Sequence, residues 1–283
     1  MYELFGFVAA AIAALMWGSM FVPMKRLKNP DPFHYHVIVC AGVLASSTLI
    51  ALILGASLSL NPYGLFSGLI WGVGNVCNIL AVKKLGLAKG MSLVLGISIL
   101  TSFLWGTLFF QEQANGVLFA ASGITLILLG LPMVSASKEK KVKVDLTGVM
   151  YAVVAGLVFG AIFVPAKLGN VPAADFIFPM ATGIAIGGAA MFFAKVRKIA
   201  MPEVGAGLTS GLMWSIANIF GLYAISLLGI AVGFPLTQLA LLFSVAWGLF
   251  FFREVRDRKT IVKIVLGAVV IILGAFALAF SKL

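Results

Sequence analysis

Trp71, Asn75 and Asn78 stand at i, i+4 and i+7 within an apolar run, so a helix carries all three on one face. An indole beside two carboxamides suits a neutral polyhydroxylated molecule. Each amide offers a donor and an acceptor to vicinal hydroxyls, and the aromatic face covers the C–H side of a sugar ring. Trp214 and Asn218 repeat the arrangement 143 residues later. Ser98, Thr101 and Ser102 fall in another apolar run, and Thr237 and Gln238 in a third. Trp17 and Phe21, four apart, are expected on one face of the first run. The candidate substrate-binding set is Trp17, Phe21, Trp71, Asn75, Asn78, Ser98, Trp214, Asn218, Thr237 and Gln238. The competing reading makes the amides interhelical glue and the tryptophans packing or interface anchors.

What is absent narrows the cargo. All nine carboxylates lie in loops or at run ends, and no Lys or Arg stands at mid-depth. A charge at the centre of a spanning helix costs about 2.5–3.5 kcal/mol on insertion scales and is kept there for function. An exporter of cations wants a buried carboxylate, and a carrier of phosphorylated substrates wants buried Arg or Lys. Neither is present, so the expected cargo is neutral. His34 and His36 are placed at the mouth of the second run, solvated at the interface, with a proton-coupling role as the alternative. Glu112 and Glu254 are read as caps of loop junctions. Cys40 and Cys77 lie in apolar runs with no partners at ligand spacing, so no disulfide, metal or other cofactor is expected. "GVGNVC" (72–77) has Cys77 at the third glycine of a dinucleotide fingerprint and lies in an apolar run, not a strand–helix turn. "GLTSG" (207–211) has Ser210 but no His at depth to act as base. The chain does not read as an enzyme.

The elements that position these residues must be membrane helices. The chain is 62% hydrophobic and 10% charged, with a mean hydropathy of +1.13. Soluble domains are about a quarter charged, so this chain needs lipid as solvent. Its net charge of +11 falls in short clusters between apolar runs rather than in a stripe with aromatics, which argues against nucleic acid. Ten runs are long enough to span: 4–24, 34–55, 62–82, 91–110, 115–134, 147–166, 175–194, 204–224, 231–252 and 260–280. The basic stretch 135–145 divides them five and five, giving units 1–134 and 146–283. The first run has no basic segment before it, unlike a signal peptide, and is expected to be retained.

The two units repeat each other. "WGSMFVPMK" (17–25) returns as "FGAIFVPAK" (159–167), "SGLIWGVGN" (67–75) as "SGLMWSIAN" (210–218), and "WGTLFFQE" (105–112) as "WGLFFFRE" (247–254). A unit of five spans places its second copy upside down. The expected fold is therefore an all-α integral membrane protein of ten transmembrane helices in two inverted five-helix repeats. Of the 20 Lys and Arg, 18 fall in the loops after odd-numbered spans. By the positive-inside rule those loops are cytoplasmic and both termini are outside. Pro23 and Pro165 are candidate hinge or gate positions. The pairs Gly68/Gly72, Gly156/Gly160 and Gly183/Gly187 are expected on close-packing faces.

With these motifs in view, "IWGVGNVCNILAVKKLGLAKG" (70–90) and "GLMWSIANIFGLYAISLLGIAVGFPLTQ" (211–238) resemble the glucose/ribose-type sugar porter branch of the drug/metabolite transporter superfamily. "GSMFVPMKRL" (18–27) resembles the opening of that branch's eukaryotic relatives. The likeness covers all ten spans. It implies a carrier with alternating access and a cavity between the halves, lined mainly by spans 1, 3, 4, 6, 8 and 9. The leading expectation is a secondary transporter of a neutral sugar or similar small polar metabolite in the cell membrane. Alternatives are an exporter of amino acids or other metabolites on the same fold, or a non-transporting scaffold or receptor. A coupling proton or cation, the sugar and the oligomeric state are left open.

Overall fold

The computed structural model describes residues 2–110, 116–135, 145–195, 201–228 and 236–281, and all their regular structure is helical. The helices are α1 (Tyr2–Ser19), α2 (Val22–Lys25), α3 (Pro32–Ile53), α4 (Pro62–Leu85), α5 (Leu87–Leu104), α6 (Val117–Ser135), α7 (Leu146–Ala161), α8 (Val164–Leu168), α9 (Ala173–Lys195), α10 (Met201–Leu228), α11 (Ala240–Ala246) and α12 (Arg258–Phe280). Eight helical stretches are long and apolar enough to cross a membrane. The eighth expected span is the 28-residue α10. The ninth is the shorter Ala240–Phe251; residues 231–235, its expected start, lie outside the described residues. Glu112 and most of the 135–145 linker also lie outside them.

Polar caps set the helix ends. Asp31 accepts from the amides of Phe33 and His34, Asn61 from Gly64, Asp145 from Gly148 and Asp257 from Thr260. Pro32 and Pro62 follow two of these caps, where a missing N–H costs nothing. Span 4 begins earlier than expected, at Leu87. The N-cap position there is Gly86, at φ 85°, and it has no side chain to cap with. Glu254 supplies the cap: Oε1 accepts from Leu87 N at 2.8 Å and Oε2 from Ala88 N at 3.1 Å.

The sequence repeat is a repeat of local structure. α1 stops at Ser19 and resumes as α2, and α7 stops at Ala161 and resumes as α8. Pro23 and Pro165 occupy the first turns of the resumed helices. Each break is held across the bundle. The Ser210 hydroxyl donates to the carbonyl of Met20, and the Ser67 hydroxyl to that of Ile162. The "WG" segments Trp105–Phe109 and Trp247–Phe251 both widen into a π-helical turn, a feature frequent at functional sites.

Packing is reciprocal under exchange of the halves. α1 lies on α10 and α7 on α4; α3 lies on α10 and α9 on α4; α5 lies on α7 and α11 on α1; α3 meets α9 and α6 meets α12. Close approaches follow the same exchange. A Cβ on Gly68 would lie 2.8 Å from Gly183 Cα, and one on Gly211 2.7 Å from the Gly42 carbonyl carbon. Gly156 and Gly160 likewise face backbone and side chains of α5 closely, whereas Gly72 and Gly187 have nothing nearer than 3.9 Å and 4.0 Å. The expected close packing therefore holds for four of those six glycines.

Loop ends gather in two groups. At one end Lys25 pairs with Glu254 at 2.9 Å, Lys84 with Asp145 at 3.0 Å, Lys83 donates to the Pro30 carbonyl and Asp31 N to Glu203. At the other, Ser57 N and the Asn61 amide reach Asp175, and Gly116 N reaches the Ser281 carbonyl. The basic ends of odd-numbered loops thus meet one another, as expected of helices that each cross the bundle. Between the two ends, a core of Tyr35, Trp71, Ile79, Phe176, Met180, Ile184 and Trp214 joins the halves.

Candidate functional site

A cavity of about 110 Å³ opens among α1, α4, α5, α7, α10 and the stretch from 237 to 240. At roughly 10–15 Å³ for a water, that is room for several waters. Those elements are spans 1, 3, 4, 6, 8 and 9. The lining includes nine of the ten candidate residues: Trp17, Trp71, Asn75, Asn78, Ser98, Trp214, Asn218, Thr237 and Gln238.

Phe21 is the exception. It is buried in the core between the halves and does not line the cavity. The i, i+4 argument fails because α1 ends at Ser19, and helical periodicity does not carry from Trp17 across the break. Phe163, its counterpart in the second unit, does line the cavity, beside Ile162 and Phe159.

The lining contains amides, hydroxyls, aromatic rings and aliphatic groups, and no ionisable side chain among the described residues. Trp71 is the centre of the aromatic surface. It meets Trp214 edge-on at 5.1 Å and stacks on Phe159 at 6.4 Å. Gly221 leaves room for Trp17, whose indole would lie 2.9 Å from a Cβ there.

Polar satisfaction is incomplete where a ligand would sit. The Ser98 and Ser102 hydroxyls donate to the carbonyls of Leu95 and Gly160, and Gln238 Nε2 to Thr237 Oγ1. Asn75 Oδ1, Asn78 Oδ1 and both Oδ1 and Nδ2 of Asn218 are buried without a hydrogen-bond partner among the described residues. Buried polar groups in folded proteins are nearly always paired, so three acceptors and one donor left over on residues that line one cavity stand out.

His36 does not stand at a solvated mouth. It is 1% exposed, stacks on Trp71 at 6.3 Å, and its Nδ1 lies 3.0 Å from Asn75 Nδ2. His34, two residues earlier, is the partly exposed one, 3.8 Å from Glu203. Burial of His36 comes from neighbouring helices, which local sequence does not reveal. Glu254 caps a loop junction as expected, and its pairing with Lys25 ties the ends of spans 1, 4 and 9 together.

Comparison with known proteins agrees with this architecture. The profile of the family described as "Sugar transport protein" matches residues 8–281. The glucose uptake protein GlcU of Bacillus subtilis is 25% identical over 284 residues, spanning 96% of this chain and 97% of its own. The probable glucose uptake protein GlcU of Staphylococcus aureus (strain MRSA252) is 24% identical over 299 residues, with 98% of each chain covered. A solved structure at 15% identity, covering 96% of this chain and 95% of its own, superposes with a TM-score of 0.63 and shares the fold. The chain belongs to the sugar transport protein family and is a multi-pass membrane transporter, not an enzyme.

Proposed function

We propose that this protein is a secondary carrier that moves a neutral sugar through the central cavity by alternating access. The observation that carries the reading is the set of unpartnered amide atoms of Asn75, Asn78 and Asn218 in a lining that holds no charge among the described residues. Amide oxygens accept from sugar hydroxyls and Asn218 Nδ2 donates to one, while Trp71, Trp214 and Trp17 cover apolar ring faces. Relatives named for glucose uptake make D-glucose the first sugar to test.

The two units, 1–134 and 146–283 joined by the basic linker 135–145, are inverted copies in this account. The recurring helix breaks, reciprocal packing and gathered loop ends support it. Pro23 and Pro165 then lie at hinges on opposite sides of the cavity, one per unit. The Lys25–Glu254 contact latches the basic end in the conformation described here. By the positive-inside rule that end is cytoplasmic and both termini are outside.

Counterflow in proteoliposomes tests the proposal. Purified protein loaded with unlabelled D-glucose should draw in labelled D-glucose. It should not draw in glucose 6-phosphate, whose charge has no partner among the described residues of the lining. Sugar phosphate counterflow, or no counterflow of any neutral sugar, contradicts the reading.

A further inference from the structure

We infer that His36 is a positioning residue that makes Asn75 a dedicated hydrogen-bond acceptor in the cavity, whereas its counterpart Asn218 keeps both donor and acceptor for the substrate. The inference rests on the sugar-binding reading of the cavity and goes beyond it, because it assigns different tasks to two amides that the repeat makes equivalent.

The orientation of the Asn75 amide gives the contact its direction. Asn75 Nδ2 lies 3.0 Å from His36 Nδ1. An amide nitrogen can only donate, so Nδ1 accepts and the neutral ring carries its proton on Nε2. Nε2 is 3.4 Å from Cys40 Sγ, a weak acceptor one helical turn along α3. The ring is held by its stack on Trp71 and by burial, with His36 1% and Asn75 0% exposed. With Nδ2 committed to the ring, Asn75 has Oδ1 left over, without a partner among the described residues, on a side chain that lines the cavity. Asn75 therefore reads a hydroxyl that donates.

The second unit has no equivalent. The chain contains two histidines, both at the start of span 2, and the position 142 residues after His36 is Phe178. Neither amide atom of Asn218 has a partner among the described residues. It can turn to suit either role, so orientation of a sugar falls to Asn75 and accommodation to Asn218. Fixing an amide in advance also removes the entropy of choosing an orientation on binding.

Two measurements on the full-length protein in detergent test this. The first is the tautomer of His36, read from 15N-histidine labelling with His34→Gln used for assignment. The expected result is an unprotonated, pyridine-type Nδ1 and a protonated, pyrrole-type Nε2. A proton on Nδ1 would overturn the inference, since Asn75 would then have to offer Oδ1 to the ring. The second is binding of D-glucose and of its monodeoxy and monodeoxyfluoro analogues. Fluorine accepts weakly and cannot donate. At the hydroxyl read by Asn75, the fluoro analogue should bind the wild type as poorly as the deoxy analogue. In His36→Phe the freed amide can turn Nδ2 outward, so the fluoro analogue should gain up to about tenfold over the deoxy analogue. His36→Gln, whose side-chain oxygen can again accept from Nδ2, should restore the wild-type ranking. A His36→Phe protein that ranks the analogues as the wild type does would refute the positioning role. If Asn75→Ala leaves glucose and every analogue unchanged, the sugar-binding reading of the cavity fails as well. Should His36→Phe not fold, the tautomer decides alone.

Discussion

Removing the Glu254 carboxylate should unfasten the junction where spans 1, 4 and 9 meet. α5 begins beside Gly86, which has no side chain for capping, so the amides of Leu87 and Ala88 depend on Glu254 at 2.8 Å and 3.1 Å. Lys25 adds a contact at 2.9 Å, with the two side chains 26% and 12% exposed. A lost cap costs about 0.5–2 kcal/mol, and hydrogen bonds to a charged group are worth about 1.5–3 kcal/mol each before rehydration. The carboxylate is mostly buried but the amides sit at a bundle end that water can reach. Glu254→Ala should therefore cost on the order of 2–4 kcal/mol. Glu254→Gln keeps one acceptor oxygen and should cost about half as much. Lys25→Met leaves both amides capped and removes a partly exposed ion pair and a cation–π contact with Phe252 at 5.9 Å, for roughly 0.5–1 kcal/mol. Melting in detergent should rank the variants in that order, with Glu254→Ala lower by on the order of 10 °C. D-glucose counterflow should change in all three, because each loosens the latch. A Glu254→Ala protein that melts with the wild type refutes the capping argument. If Lys25→Met is the most damaging, the ion pair rather than the cap holds the junction.

Further outcomes follow from the same structure. In a cysteine-free background, Lys138→Cys should be labelled only from the cytoplasmic side and Ser57→Cys only from outside, and the reverse pattern would invert the assigned orientation. Gly183→Ala places a Cβ 2.1 Å from the Leu65 carbonyl oxygen and should destabilise by about 1–3 kcal/mol. Gly187→Ala, whose nearest neighbour is 4.0 Å away, should be silent in the same melting assay. The Gly148 amide, and then Lys84, hold the Asp145 carboxyl below its usual range. A carboxyl depressed in the folded state stabilises above its unfolded pKa and loses that effect as pH falls through the lowered value. Asp145→Ala should therefore melt below the wild type near neutrality and converge with it in acid; a gap that widens in acid contradicts the cap.

Much of this was legible because the sequence repeats itself. The "FVP" motifs, read as hinge or gate positions, fall at both helix breaks, and the "WG" segments, read only as a repeat, both form π-helical turns that nothing in the sequence announced. The amide and tryptophan face of α4 was legible because i, i+4, i+7 spacing holds within an unbroken helix. Phe21 was misplaced because the spacing was carried across a break. His36 was misread because it stands five residues after a polar cap, and its burial depends on helices distant in sequence. Met20, Phe159 and Ile162 line the cavity without a sequence signal, because in an apolar helix a residue facing lipid and one facing a cavity look alike. Glu254 was legible as a cap, but its partners at Leu87 and Ala88 lie 167 and 166 residues away.

The paired amides test the account most directly. D-glucose affinity and melting temperature should be measured for Asn75→Ala, Asn218→Ala and the double variant. Each substitution removes a hydrogen bond worth roughly 0.5–1.5 kcal/mol, up to a tenfold loss of affinity. Melting should change little for Asn218→Ala, whose amide has no partner to lose among the described residues. The double variant should bind weakest of the three. Unchanged affinity together with a clear fall in melting temperature for both single variants would make the amides structural and leave the sugar site without support.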